Sequence, residues 1–385
     1  MKTGILVFIS VMLLLGSLVS ADDKGSINLD WYGYFKLDAS YDQNITSHGN
    51  FVMWVNPKQV EDDAQFNMTH KQSRFGVKVA GNGYGDVKLG GNLEFDMYGG
   101  AGTENKAALL LRHAYMTLDY GSFQLLAGQS WDLISPLNPS TLNYPVLWGC
   151  GNIGYRRPQI RMTLNHNFSE QTKMKIAAGF FRTIGSDLTP TLVLSTETSD
   201  GSDDGTDAAI PSIQGLVDIT HEFSKGNNLR LGLGGAYSQY RAEGTLGSDE
   251  DYSSQGITGH LQMNFAKGFG FAGEFFSGSN LESFFGGISN SNTIDGISAV
   301  GGWGYAWIKL NNNVKFSGGF GLDDPDDNDL TSGKRSKNQC LFANISWSPV
   351  KIFSIGLEGS QWQTDYKDSE TAETFRMQTS FIFNF

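Results

Sequence analysis

The stretch Met377-Gln378-Thr379-Ser380-Phe381-Ile382-Phe383-Asn384-Phe385 decides the fold. Apolar or aromatic residues mostly alternate with polar ones, and the stretch ends on phenylalanine. Alternation with period two puts successive side chains on opposite faces of a strand. A soluble sheet gains little from an exposed terminal aromatic. A strand of a membrane barrel does gain, because its outward side chains meet lipid and its aromatics sit at the interface. A final strand ending on Phe is also the pattern that outer-membrane insertion machinery reads. An ordinary strand closing a soluble sheet is the alternative, and the other end of the chain weighs against it.

That end reads as a secretory signal over residues 1–21. Lys2 supplies the charge, Ile5 to Leu15 is an apolar run broken only by Ser10, and Val19-Ser20-Ala21 offers small residues before cleavage at Asp22. No cysteine follows the cut, which excludes a lipoprotein. The run is short for a membrane span, and no other apolar stretch approaches the length of one. Residues 22–385 then form one domain, since no Pro- or Gly-rich linker divides them.

Working inward, Ile27 to Tyr41 repeats the alternation at greater length. Ile27, Leu29, Trp31, Gly33, Phe35, Leu37, Ala39 and Tyr41 share one face; Asn28, Asp30, Tyr32, Tyr34, Lys36, Asp38 and Ser40 share the other. Similar segments recur near 74–79, 87–97, 107–118, 123–131, 157–168, 172–182, 212–221, 229–240, 255–265, 269–277, 297–309, 314–322, 340–348, 353–362 and 375–385. Their parity is weakest near 107–118, where Arg112 falls in phase with Ala114, Met116 and Leu118. Short connections alternate with long ones, the asymmetry of periplasmic turns and outer loops. The fold class expected is therefore all-β: a 16-stranded antiparallel transmembrane β-barrel, of a size that leaves a water-filled lumen.

Composition agrees. The 385 residues include 48 glycines, and 12% are aromatic. Mean hydropathy is −0.26, as expected when only every second strand residue meets lipid. Formal net charge is −12; loss of Lys2 leaves 27 basic against 40 acidic residues, or −13. That excludes a nucleic-acid binder, which needs a basic footprint. Cys150 and Cys340 show no metal spacing, and one disulfide or two free thiols both fit. The acidic run Asp323-Asp324-Pro325-Asp326-Asp327-Asn328-Asp329 lacks the glycine and terminal glutamate of a calcium loop. A solvated loop, bridged to lipopolysaccharide by divalent ions, is the reading it favours. No cofactor or metal site is expected.

Parity places Lys36, Arg74, Lys78 and Arg376 inward on the first, second and last strands, which closure makes neighbours. The third outer loop, 132–156, holds Leu133, Ile134, Leu137, Leu142, Tyr144, Val146, Leu147 and Trp148 with one charge, Asp132. So apolar a loop belongs inside the barrel, as a constriction. Beyond it Arg157, Gln159 and Arg161 face inward. A basic wall opposite a folded loop would hold an anion through forked hydrogen bonds. Alternatively Asp30, Asp38, Glu94 and Asp96, also inward, simply pair with these bases.

Leu111-Arg112-His113-Ala114-Tyr115, Leu126-Ala127-Gly128-Gln129-Ser130-Trp131 and Arg157-Pro158-Gln159-Ile160-Arg161 resemble the DcaP-like outer-membrane porins. So do Ser73-Arg74-Phe75-Gly76 and the Asp323-Asp324-Pro325-Asp326-Asp327 run. The pieces recur in order over most of the chain. The resemblance implies a homotrimeric porin of the bacterial outer membrane that passes small organic anions such as dicarboxylates by passive diffusion. It carries a carboxylate-holding role to Arg74, Arg157 and Arg161; Lys36, Lys78 and Arg376 rest on parity alone. Some members carry an N-terminal coiled-coil extension. Here the first strand begins almost at the expected cleavage site, which leaves trimer formation to the barrel wall. Two other classes remain. A barrel hydrolase needs a nucleophile and base within reach, yet none of the six histidines sits beside a Gly-x-Ser-x-Gly elbow. A plugged, adhesive barrel would use its acidic loops for contact, but no separate plug segment is seen.

Overall fold

The computed structural model describes residues 27–57, 64–83, 85–100, 104–185, 203–242 and 249–385. The expected signal peptide over 1–21 lies outside them. Among the described residues, seventeen strand segments form one sheet. They are β1 (Ile27–Asp42), β2 (Gln65–Thr69), β3 (Arg74–Asn82), β4 (Lys88–Asp96), β5 (Leu110–Tyr120) and β6 (Phe123–Trp131). There follow β7 (Arg156–Asn167), β8 (Thr172–Phe181), β9 (Ser212–Ser224), β10 (Asn227–Ala242), β11 (Glu250–Asn264) and β12 (Phe269–Ser279). The last are β13 (Ser298–Lys309), β14 (Val314–Pro325), β15 (Arg335–Val350), β16 (Phe353–Tyr366) and β17 (Ala372–Asn384).

The sheet closes on itself. Tyr34 pairs with Asn384 and Asp42 with Arg376, antiparallel throughout. The backbones of Gly33 and Phe385 exchange both hydrogen bonds at 3.1 Å. On its other side β1 faces two segments end to end: Ile27–Tyr34 pairs with β3, and Asp38–Asp42 with β2. β2 and β3 thus share one barrel position, and the closed antiparallel barrel has sixteen. At the gap, Ser73 Oγ accepts from Lys36 N at 3.0 Å and donates to Lys36 O at 3.2 Å. A serine hydroxyl stands in for the missing ladder partner, so both backbone groups of Lys36 are paired.

Parity sorts the two faces as the alternation requires. Ile27, Leu29, Trp31, Phe35 and Leu37 are exposed on the outside, while Lys36, Asp38, Ser40 and Asp42 are buried within. Aromatics gather near the short turns: Tyr120, Phe168, Phe223, Phe269 and Trp347 are all exposed. This is the girdle of a membrane-spanning barrel. His166 faces outward on β7, edge-on to Phe168 at 4.8 Å.

Two details differ from the sequence reading. Several strands run further outward, β11 from Glu250 and β15 from Arg335. Hydrogen bonding continues there after hydropathy has stopped alternating, because no lipid faces those residues. Near 107–118 the ladder slips between Glu94 and Phe95, which face His113 and Leu111. Arg112 is the extra residue of a β-bulge. Arg112 and His113 are consequently both buried, and the parity anomaly disappears.

Candidate functional site

The third outer loop, between β6 and β7, folds into the barrel. It is fastened along wall strands from β9 round to β1. Leu133 N donates to Gln214 Oε1 at 2.7 Å. Ile134 O accepts from Thr258 Oγ1, and Ser135 Oγ donates to Glu274. Leu137 N donates to Glu274 Oε1 at 2.8 Å. Ser140 O accepts from Asn344 Nδ2 at 2.8 Å. Leu142 N donates to Glu358 Oε2 at 2.7 Å, and its carbonyl accepts from Lys36 Nζ and Gln378 Nε2, each at 3.0 Å. Inward polar side chains, which periodicity makes obligatory, therefore receive the loop's backbone groups.

Apolar residues seal the same side. Leu137, Leu147 and Cys150 of the loop join Val52 and Val55 of the first outer loop. Together they pack on Trp303, Cys340, Phe342 and Trp362 of β13, β15 and β16. A second cluster joins Ile134 and Ile153 to Phe276, Leu281 and Phe284, the last two from the sixth outer loop. Half the barrel mouth thus has an interior resembling that of a globular protein.

The six basic residues expected to face the lumen do point inward, and they divide into two groups. Lys36, Arg157 and Arg376 are buried and engaged. Lys36 Nζ lies 3.2 Å from Asp38 and donates to Gln72 at 2.6 Å. Arg157 Nε is 2.8 Å from Asp132, Nη2 donates to Ser283 O at 2.9 Å, and the guanidinium stacks on Phe284 at 4.2 Å. Arg376 Nη1 donates to Asp42 Oδ2 at 2.7 Å, and Nη2 to Asn50 O at 2.9 Å. These three hold the third, sixth and first outer loops.

Arg74, Lys78 and Arg161 keep part of their surface open. Arg74 has 22% side-chain exposure, against 8% for Glu94, 3.5 Å away. Lys78 is exposed over the Tyr32 ring at 5.2 Å. Arg161 donates to Trp131 O at 3.3 Å, while its Nε has no hydrogen-bond partner among the described residues. Further along this wall Lys175 is 38% exposed beside Asp218, which is only 4% exposed. On the wall from β3 to β9, then, several carboxylates are buried and paired while neighbouring cations stay accessible. Exposed Asp30, facing Lys78 across the ladder, is an exception.

Two arginines escaped the sequence reading. Arg112 donates to Glu94 and Asp96, each at 2.7 Å. Arg156 is 2% exposed and lies between the rings of Trp131, at 4.6 Å, and Tyr155, at 4.5 Å. None of its guanidinium nitrogens has a hydrogen-bond partner among the described residues. It begins β7, where parity counted from Arg157 aims it at lipid. The aromatic pair on either side of it, Trp131 and Tyr155, was the available signal. His113 packs edge-on to Tyr115 at 5.8 Å, with Nδ1 unpartnered among the described residues.

The acidic run is used locally. Asp323 is buried and accepts from Ile288 N at 3.1 Å; Asp326 caps the 3-10 turn Asp327–Asp329; Asp329 accepts from Ser298 N at 2.9 Å.

Neither a family model nor a curated protein matches this chain. Solved structures do. The outer membrane channel DcaP of Acinetobacter baumannii superposes with a TM-score of 0.73 at 19% identity, over 96% of this chain and 100% of that one. An anion-selective porin from Comamonas acidovorans gives a TM-score of 0.59 at 12% identity, over 94% and 100%. The trimer form of OmpT, an outer membrane protein of Vibrio cholerae, gives 0.57 at 10%, over 94% and 100%. The chain shares the sixteen-stranded barrel fold of these proteins.

Proposed function

We propose that this protein is a porin of the bacterial outer membrane, exported with a cleaved signal peptide and assembled as a homotrimer amid lipid and lipopolysaccharide. It passes small hydrophilic solutes by passive diffusion and favours small organic anions such as dicarboxylates. One observation carries the preference. On the wall that faces the folded loop, Arg74, Lys78, Arg161 and Lys175 remain accessible while Glu94, Asp96 and Asp218 are buried. Accessible charge sets the field in a water-filled passage, and buried pairs largely cancel. Of the six expected residues, Arg74, Lys78 and Arg161 meet solute; Lys36, Arg157 and Arg376 position loops. The solved structures named a channel and an anion-selective porin support this reading.

The test is planar-bilayer conductance in a salt gradient. Conductance in three equal steps, with a reversal potential favouring anions, is the expected result. Arg74→Ala combined with Arg161→Ala should lower the anion-to-cation permeability ratio by roughly half or more. Cation preference in the parent protein would defeat the arginine wall. The filled mouth favours a plugged, adhesive barrel as the second reading, and a correctly folded barrel without conductance would select it.

A further inference from the structure

Cys150 and Cys340 are the chain's only cysteines. The fold brings them into one buried cluster, with Leu147 and Trp362. Cys340 points inward from β15, and Gly321 of β14 is its direct partner across the ladder. Cys150 Sγ lies 3.4 Å from Gly321 O and 3.8 Å from Asn338 O. A β-carbon on Gly321 would meet Cys150 O at 2.2 Å, so the loop backbone rests directly on the β14–β15 seam that carries Cys340. Cross-strand neighbours stand about 4.5–5.5 Å apart, and a disulfide requires Cα atoms within about 7 Å. Both cysteines are 1% exposed or less, and both are thiols in this structure.

We propose that Cys150 and Cys340 are joined by a disulfide in the exported protein, which fastens the constriction loop covalently to the barrel wall. This rests on the export reading above, since disulfides persist outside the cytosol. The oxidant is the disulfide of a periplasmic thiol oxidase. One cysteine thiolate attacks it to form a mixed disulfide; the second thiolate attacks the first cysteine's sulfur, breaking its bond to the oxidant, which departs as a dithiol carrying the two electrons. Both thiols lose a proton. Burial pushes the Cys150 thiol well above its ordinary range, so the exchange takes place before the loop docks, while the pair is still open to solvent.

The test uses full-length protein taken from the outer-membrane fraction without reductant, with free thiols blocked by iodoacetamide during lysis. Digestion and mass spectrometry should find the Cys150 and Cys340 peptides linked within one chain. Amide exchange over 142–152 should be about tenfold slower in that protein than in the Cys150→Ser/Cys340→Ser variant, because a fastened loop opens less often. Alkylated cysteines with no linked pair would overturn the proposal, as would a link between two chains. A linked pair with unchanged exchange would overturn the fastening. Neither measurement depends on conductance, so the crosslink can fail while the porin reading stands.

Discussion

At the scale of single residues, the same side chain does different work according to what lies within its reach. Arg376 on β17 and Arg74 on β3 flank β1 from its two sides, and both face inward. Arg376 meets Asp42 and the carbonyls of Gly49 and Asn50. Arg74 meets a carboxylate that Arg112 and Tyr32 already share. Direction was legible from parity; engagement was not, because the acceptors on Gly49 and Asn50 are backbone atoms of a loop folded back from far along the chain. Glu358 shows the same dependence. It is buried and accepts from Leu142 N, at 2.7 Å, and Asn143 N, at 3.3 Å. Glu358→Ala would leave both loop amides without this acceptor, at a cost of about 1–3 kcal/mol each. The expected outcome is a loop that leaves the wall more often, seen as faster amide exchange over 140–145 with the β16 ladder still protected. Glu358→Gln keeps an acceptor and should restore most of the protection.

At the scale of elements, contacts between loops and wall decide the form of the mouth. The third loop can approach the wall because Gly321 has no side chain. In Gly321→Ala a methyl would collide with the Cys150 carbonyl. Backbone on both sides leaves little room to yield, so the variant should lose about 1–3 kcal/mol of stability, measured as a lower midpoint for unfolding in guanidinium. The first and second outer loops are joined through Glu104, in the 3-10 turn Glu104–Lys106. Burial would raise its carboxyl, but hydrogen bonds from Thr69, Asn50 and Lys71 together outweigh that and hold it below the usual glutamate range. A depressed acid stabilises above its unfolded pKa and loses that contribution as pH falls through the folded one. Exchange near Asn50, corrected for its intrinsic pH dependence, should rise below about pH 4. Glu104→Gln should show the raised rate already at neutral pH. Strand existence and facing were readable because period two is strictly geometric. The bulge at Arg112 was not, since one inserted residue reverses parity without altering composition.

At the scale of the whole molecule, the barrel is asymmetric. The side from β12 to β17 is backed by the first and third loops with an apolar core, while the side from β3 to β8 presents accessible cations. The sequence announced an apolar loop that belonged inside, but not which wall it would cover. That choice depends on Gln214, Glu274, Asn344 and Glu358, ordinary inward polar residues whose pairing with loop amides leaves no local signature.

The seam between β1 and β17 also bears on timing. A ring sealed by its first and last strands cannot be finished in instalments. Until Phe381 finds Leu37 and Asn384 finds Tyr34, every partly assembled form has two raw edges of unpaired amides and carbonyls. Without β17 the sheet is therefore an open ribbon instead of a slightly smaller ring. The β1–β17 register thus decides between a ring and a ribbon, with nothing in between.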